Sequence, residues 1–206
     1  MQTLILPADK PAAIESAVAL LKEGEIIAFP TDTVYGLASD AFHAPGIIKL
    51  FEAKGRDSNK AISILIGSND QIKSVTNHMT KLARKLTERF WPGGLTVIVP
   101  RKETLPELIS TTKNIGIRMP NHPVALELLT TFGPLATTSA NLSGGSNPQS
   151  AIDVFDQLNG RVPLILNGGI CPGGIPSTVV DCTGDKPVIL RLGAISEKAI
   201  LEALED

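Results

Sequence analysis

The chain has 206 residues, of which 43% are hydrophobic and 19% charged, and its formal net charge is −2. This balance is typical of one globular domain and excludes a disordered chain. No apolar run reaches the roughly 18 residues that a membrane-spanning helix needs. The first ten residues lack the basic and apolar regions of a signal peptide. We therefore expect a cytoplasmic protein with no membrane partner.

Helical and strand patterns alternate along the chain. Helices are predicted over residues 11–23, 45–53, 78–90, 122–132, 151–158 and 196–205. Strands are predicted over residues 26–29, 61–66, 95–99, 115–119, 135–138, 163–166, 177–181 and 188–191. This alternation, without a linker or a repeat, predicts a single α/β domain over residues 1–206, with helices covering one twisted sheet. The strand order does not follow from the pattern.

Charge is unevenly distributed along the sequence. Residues 49–118 carry 13 Lys or Arg and six Asp or Glu, a balance of +7, whereas the rest of the chain has a balance of −9. A basic middle third favours an anionic partner, such as a nucleotide or an RNA backbone. The alternative is a set of solvated helix faces, which suits Lys81, Arg84, Lys85 and Arg89 on one face of a predicted helix.

Cysteine and histidine spacing gives no indication of a metal site. Cys171 and Cys182 form no CxxC pair, and the three histidines lie far from both in sequence. We expect two reduced, partly buried thiols and no metal held by the protein.

Several common nucleotide and hydrolase signatures are absent: GxxxxGK[ST], GxGxxG, HExxH and GxSxG. P-loop hydrolysis, dinucleotide redox chemistry and zinc proteolysis therefore lose their usual support. A nucleotide site in this chain must be built in another way.

Polar residues instead gather near the ends of predicted strands. The segment 30–37 (PTDTVYGL) follows a buried strand, where α/β proteins usually place ligands. Lys54-Gly55-Arg56, with Lys60 close behind, offers three cations that suit a polyphosphate. Taken alone, the first block is also compatible with an ordinary turn and the second with a solvated loop.

Three later blocks add to this pattern. Arg118 lies in an apolar strand, so it needs a water-filled cavity or an anionic partner, and a structural ion pair is the alternative to a ligand. Residues 137–145 (TTSANLSGG) combine hydroxyl and amide side chains with glycines that let backbone N–H groups approach a phosphate. Ser177 follows the glycine-rich segment 168–174, and Arg191 lies on the next strand.

These segments belong to a longer series of blocks in chain order: FPTDTVYGL at 29–37, KGR at 54–56, WPGGLTVIVP at 91–100, GIRMPNHP at 116–123, TTSANLSG at 137–144, PSTVVD at 176–181 and LRLG at 190–193. The series resembles the YrdC-like family of threonylcarbamoyl-AMP synthases over about residues 10–195. The resemblance implies an α/β fold with a large electropositive concave face. It also implies the short form of the family, without the extra C-terminal domain of longer members.

The activity that the resemblance implies is synthesis of threonylcarbamoyl-AMP and pyrophosphate from L-threonine, bicarbonate and ATP, with Mg²⁺ accompanying ATP. A partner transferase machinery would then pass the threonylcarbamoyl group to the adenosine at position 37 of tRNAs that read codons starting with A, giving t6A. Some family members also bind tRNA or double-stranded RNA, so direct tRNA binding is expected as a further property.

The resemblance also implies site residues. The implied ATP contacts are Lys54, Arg56, Lys60, Ser139, Asn141, Asn147 and Arg191. The implied threonine contacts are Thr33, Arg118, Thr137 and Ser177. Lys54, Arg56 and Arg118 are the expected catalytic residues. The chain departs from the family at Asp57, where a proline usually follows the KxR triplet, and at Leu65, where some members carry a polar residue.

Two other functions stay open at this point. The basic middle third would also suit a tRNA or double-stranded RNA-binding module without adenylate-forming activity. A related carbamoyl-adenylate domain from hydrogenase maturation is the third candidate, although those domains lie in much longer chains with acylphosphatase and zinc-finger segments.

Overall fold

The centre of the molecule is a ten-stranded mixed β-sheet, seen in a computed structural model that describes residues 2–205. The strands are β1 (Leu4–Pro7), β2 (Ile27–Phe29), β3 (Gly36–Asp40), β4 (Ser63–Leu65), β5 (Leu95–Pro100), β6 (Asn114–Arg118), β7 (Leu135–Ser139), β8 (Leu164–Asn167), β9 (Thr178–Asp181) and β10 (Val188–Arg191). Their order in the sheet is β1-β8-β2-β3-β7-β4-β6-β5-β9-β10. Parallel and antiparallel neighbours alternate irregularly across it.

Seven helices accompany the sheet within the described residues: α1 (Pro11–Lys22), α2 (Ala44–Lys54), α3 (Ile72–Val75), α4 (Lys81–Phe90), α5 (Pro123–Phe132), α6 (Ala151–Leu158) and α7 (Glu197–Glu205). Capping chemistry accounts for several of their ends. Ser150 and Asp153 form a reciprocal capping box at the start of α6. Ser196 accepts the backbone N–H of Ala199, as the predicted N-cap of α7 should. Gly55 ends α2 in the left-handed conformation at φ 57°.

The structure differs from the sequence prediction in several elements. Residues 36–40 form strand β3 and residues 72–75 form helix α3, where the sequence predicted neither. The helix predicted to start at residue 78 starts at Lys81, because the Thr80 hydroxyl accepts the N–H of Ala83 and caps it there. Strand β1, at one edge of the sheet, was not predicted.

Helices cover both faces of the sheet, which confirms the predicted α/β class. Along β2, the side chains of Ile27 and Phe29 join α1 and α5 in one apolar cluster. Ala28 points the other way and joins the larger cluster with α2, α4, α6 and α7. This is the two-residue alternation expected of a strand buried on both faces. No helix described between residues 2 and 205 is both long and apolar enough to cross a membrane.

The face that α1 and α5 cover changes in character along the sheet. The apolar cluster on that face draws its strand residues from β1, β8, β2, β3, β7 and β4. On β5 and β6 the same face carries Thr96, Gly116 and Arg118, which alternate with buried aliphatic residues of the opposite cluster. Ser63 and Thr137, which pair across β4 and β7, continue this row of small and polar side chains. Beyond the part of this face that α1 and α5 cover, the sheet therefore presents a polar, shallow surface.

Candidate active site

A cavity of about 200 Å³ lies over this polar part of the sheet. It is bounded by the connection between β2 and β3, by the ends of β4, β6 and β7, and by the segment before β9. Eight of the eleven site residues implied by the sequence line it: Thr33, Arg56, Arg118, Thr137, Ser139, Asn147, Ser177 and Arg191. Lys54, Lys60 and Asn141 are not among the lining residues within the described part of the chain.

Arg118 is fixed in the cavity wall by three partners. Its Nε donates to the Gly93 carbonyl at 2.9 Å, its Nη1 to Thr33 Oγ1 at 2.9 Å and its Nη2 to Asp32 Oδ1 at 2.5 Å. The residue is only 6% exposed. Burial lowers the pKa of the guanidinium, and the Asp32 carboxylate opposes this shift. Asp32 also accepts the backbone N–H of Asn121 at 3.0 Å.

The structure shows the ion-pair alternative for Arg118, in which Asp32 is the partner, and also places the residue in the cavity wall. A guanidinium has five N–H donors, and three of those of Arg118 are used in these contacts. The two remaining N–H groups belong to a rigidly held cation, which suits a carboxylate ligand.

A second network of hydrogen bonds holds Ser177 in the cavity lining. Its Oγ lies 2.8 Å from Thr96 Oγ1 and accepts from Arg191 Nη2 at 3.1 Å. Arg191 also donates from Nε and Nη2 to the Ser177 carbonyl, at 3.1 and 2.8 Å. Thr96 is 1% exposed, so its hydroxyl is held in one environment. Burial lowers the pKa of Arg191.

Arg56 is the least satisfied cation of the cavity. Its Nη2 donates to the Ala61 carbonyl at 3.0 Å, but its Nε is buried and has no partner among residues 2–205. Burial lowers the pKa of Arg56 and the nearby charge of Arg191 lowers it further, while Asp57 opposes both effects. Arg56 and Arg191 line the same cavity and repel each other, so an anion bound near both would be stabilised.

Asp57, the departure from the family pattern, stabilises the turn that follows Arg56. Its Oδ1 accepts the backbone N–H of Asn59 at 2.9 Å, and its carbonyl accepts the N–H of Lys60 at 3.1 Å. The Lys60 side chain is exposed in this turn. Its contact with a phosphate therefore stays a prediction.

Lys54 and Asn141 lie behind the cavity wall. Lys54 is 2% exposed, and its Nζ donates to the carbonyls of Ser139 and Asn141 and to Asn141 Oδ1. Asn141 Oδ1 also accepts from Ser139 Oγ at 2.5 Å, and its Nδ2 donates to the carbonyls of Leu142 and Gly145. The polar atoms of both side chains are engaged inside the protein, so direct contact with ATP stays a prediction for them.

The glycine-rich segment 168–174 packs against the connection between β2 and β3. The N–H of Gly174 donates to the Thr33 carbonyl at 2.8 Å. A Cβ atom at Gly173 would lie 2.7 Å from the Asp32 carbonyl oxygen, so this close approach requires glycine. Tyr35 donates its hydroxyl to the Gly169 carbonyl at 2.8 Å, and burial raises the pKa of Tyr35 to about 12.

The residues assigned from the sequence did not include Ser63 and Thr96, which line the cavity. Asp32 and Tyr35 belong to the segment 30–37 that the sequence singled out as a ligand site, although neither was given a role of its own. Ser63 and Thr96 carried a readable signal, because each is a lone hydroxyl residue in a run of aliphatic strand residues, as Arg118 is a lone cation. The pairing of Asp32 with Arg118 joins positions 86 residues apart, and no local pattern reveals it.

The fold and the cavity define an α/β protein with a polar, arginine-lined ligand site on the open part of a mixed sheet. The Sua5/YciO/YrdC family model, described as "Telomere recombination", matches residues 19–193. The chain therefore belongs to the Sua5/YciO/YrdC family.

Individual relatives agree with this assignment. The chain is 42% identical over 190 residues to a protein of Bacillus subtilis named threonylcarbamoyl-AMP synthase, covering 91% of this chain and 55% of that protein. It is 39% identical to a putative threonylcarbamoyl-AMP synthase of Mycobacterium tuberculosis, covering 96% of this chain and 92% of that protein.

A solved structure shows the same fold. The crystal structure of Pyrococcus abyssi Sua5 complexed with L-threonine matches with a TM-score of 0.95 and 35% identity, covering 98% of this chain and 61% of that one. The chain thus spans between half and two thirds of the length of the B. subtilis and P. abyssi proteins, and nearly the whole of the M. tuberculosis protein.

Proposed function

We propose that this chain makes threonylcarbamoyl-AMP and pyrophosphate from L-threonine, bicarbonate and ATP. The observation that carries the proposal is one cavity with two kinds of cationic wall: Arg118, oriented by an acid, and Arg56 with Arg191, which have no acid bonded to them among the described residues. The names of the B. subtilis relative and the P. abyssi threonine complex support it.

Threonine binding is assigned to the Arg118 wall. The two remaining N–H groups of Arg118 bind the substrate carboxylate, because Asp32, Thr33 and Gly93 fix the plane of the guanidinium. The hydroxyls of Thr137 and Ser177 line the same cavity and orient the amine end.

The chemistry requires no nucleophile from the protein. Bicarbonate takes up a proton and loses water to give CO₂, the neutral threonine amine attacks the carbon of CO₂ to form a C–N bond, and the amine then releases a proton to give an N-carboxylate. A carboxylate oxygen then attacks the α-phosphorus of ATP, and the bond to the β-phosphate oxygen breaks as pyrophosphate leaves. Positioning, charge stabilisation and exclusion of water are what such a reaction needs from an enzyme.

The phosphate chain is assigned to the other wall. Arg56 and Arg191, with Lys60 at the rim, stabilise the negative charge that grows on the leaving pyrophosphate. Ser139 and Asn147 line the cavity and complete the nucleotide contacts. Mg²⁺ is proposed to enter as part of the MgATP substrate, where it neutralises phosphate charge.

The further destination of the product belongs to the same proposal. We place the protein in the cytoplasm, where a transferase machinery takes the threonylcarbamoyl group to form t6A in tRNA. Direct tRNA binding would show as an affinity that falls steeply with salt. The basic face of helix α4 supports tRNA binding only weakly, because two of its cations are hydrogen-bonded within the protein. Lys85 donates to the Leu204 carbonyl, and Arg84 donates to the Met79 carbonyl.

The test of the proposed function is pyrophosphate release from MgATP, measured with and without bicarbonate and with either L-threonine or L-serine. We expect release that requires both bicarbonate and threonine and is much weaker with serine. Release in none of these mixtures, together with salt-sensitive tRNA binding, would favour the RNA-binding module instead.

A further inference from the structure

The buried lysine Lys54 holds one particular segment of the chain, residues 139–145, which we call the 139–145 loop. All three acceptors of its ammonium group, the carbonyls of Ser139 and Asn141 and the side-chain oxygen of Asn141, belong to this loop. The Lys54 carbonyl also accepts the N–H of Ser143 at 2.9 Å. Lys54, the last residue of α2, therefore holds the loop at positions 139, 141 and 143 through its side chain and its backbone.

The three acceptors match the three N–H groups of a charged lysine. They leave none of these N–H groups for a ligand, and Lys54 is 2% exposed. Ser139, in contrast, lines the cavity while its carbonyl receives the Lys54 ammonium. The lysine is thus connected to the cavity through the loop.

Charged groups around Lys54 are few in the described part of the chain. Burial and the charge of Arg56 lower the pKa of Lys54 to about 7. The facing residues Ser139 and Asn141 are uncharged, and Arg161 donates to the carbonyl of the neighbouring Ala53.

We propose that Lys54 is a positioning residue, whose side-chain nitrogen holds the 139–145 loop in the shape that presents Ser139 to the cavity, and that it does not itself bind ATP. This inference rests on the proposed function for its link to ATP, but the ordering of the loop can be measured without any substrate.

The protonation state of Lys54 should affect the stability of the 139–145 loop. Below the Lys54 pKa of about 7 the ammonium donates to all three oxygens. An opened loop would return Lys54 to water, where its pKa is higher, so the open loop holds the proton more tightly than the closed loop. The closed 139–145 loop should therefore become more stable as the pH rises above about 7.

The test is hydrogen–deuterium exchange of the ligand-free protein, followed in peptides that cover the 139–145 loop. In Lys54→Met, exchange in this loop should become about tenfold faster, since two or three charge-assisted hydrogen bonds are lost. The matched control is Lys49→Met, on the same helix, whose ammonium pairs with Glu25 at the surface. In Lys49→Met, the exchange rate of the 139–145 loop should stay within about twofold of the rate in the unmodified protein.

The unmodified protein provides a second measurement, which holds even if Lys54→Met does not fold. Between about pH 6 and about pH 8.5, exchange in the loop should rise less than its intrinsic base-catalysed increase, and the departure should begin near the Lys54 pKa of about 7. A flat corrected profile would overturn the coupling of the loop to this proton.

Measurements of turnover distinguish failure of this inference from failure of the proposed function. Where threonine-dependent turnover exists, Lys54→Met should raise the KM for ATP and leave the KM for threonine nearly unchanged. Loss of turnover with unchanged loop exchange would show that Lys54 acts on ATP directly, and our inference would be wrong. Faster loop exchange in a protein that has no turnover in any form would leave the inference standing and remove the proposed function.

Discussion

At the scale of single residues, the two arginine walls carry different chemistry because their partners differ. Arg118 is paired with Asp32 and held by three hydrogen bonds, so it offers an oriented fork. Arg56 has a buried Nε without a partner among residues 2–205 and stands near Arg191, so it offers unbalanced positive charge. An oriented fork suits a small carboxylate, and unbalanced charge suits a polyphosphate.

The Arg118 assignment predicts a selective loss of threonine binding. Arg118→Lys keeps the charge but removes the planar fork, and we expect the KM for threonine to rise about 30-fold or more, because a bidentate charged contact is lost. Steady-state kinetics with each substrate varied in turn measures this. A change confined to the KM for ATP would show that the two walls have been exchanged.

The Arg56 assignment predicts a loss in rate. Arg56→Ala should lower kcat about 30- to 1000-fold, corresponding to about 2–4 kcal/mol of transition-state stabilisation. Arg89→Ala, which removes an exposed arginine of α4, is the control and should keep its rate. Unchanged pyrophosphate release by Arg56→Ala would refute the role of Arg56 at the phosphates.

At the scale of secondary structure, the site exists because strands β4 to β7 carry small side chains on one face. Gly116 is the narrowest point of this row. A Cβ atom there would lie 2.9 Å from Thr96 Cγ2 and 3.0 Å from Ser63 Oγ. Both neighbours line the cavity, so the glycine sets the depth of its floor.

Replacing Gly116 by Ala should therefore impair the site more than the fold. We expect a loss of about 1–3 kcal/mol in stability from overpacking, and a rise in the KM for threonine as Thr96 shifts. Gly184→Ala is the control, because the nearest atom to its added Cβ is 4.0 Å away. Thermal unfolding and kinetics of both variants measure the two effects, and equal behaviour of the two proteins would argue against this floor.

The sequence predicted the elements and the site to different degrees, for physical reasons. Alternation and glycine or proline stops locate most elements, but β3 (Gly36–Asp40) lacks the β-branched residues that indicate a strand. Arg118 was singled out because a cation among aliphatic residues needs an explanation, and the structure places it in the cavity wall. The contacts of Lys54 were not predicted, because its acceptors lie 85 to 87 residues further along the chain.

At the scale of the whole molecule, the larger apolar cluster buries both cysteines away from solvent. Cys171 and Cys182 are free, and each is 1% exposed or less. Burial raises the pKa of the Cys171 thiol to about 11 and that of Cys182 to about 12. At neutral pH both groups are therefore neutral thiols, and the thiolate is the reactive form.

This burial predicts that the native protein resists thiol reagents. Titration with a chromogenic disulfide at about pH 8, below both raised pKa values, should label neither cysteine in the folded protein and both after denaturation. Fast labelling of Cys171 in the native state would show that the glycine-rich segment 168–174 opens readily, contrary to its packing here.

In the proposed reaction, one cavity joins threonine, bicarbonate and ATP. The most direct measurement is incorporation of ¹⁴C-labelled bicarbonate into a product that also contains threonine and adenylate, analysed immediately because the mixed anhydride is labile. We predict label in that product only when all three substrates are present, and its loss in Arg118→Lys. Pyrophosphate release without any label from bicarbonate in an adenylate would contradict the account.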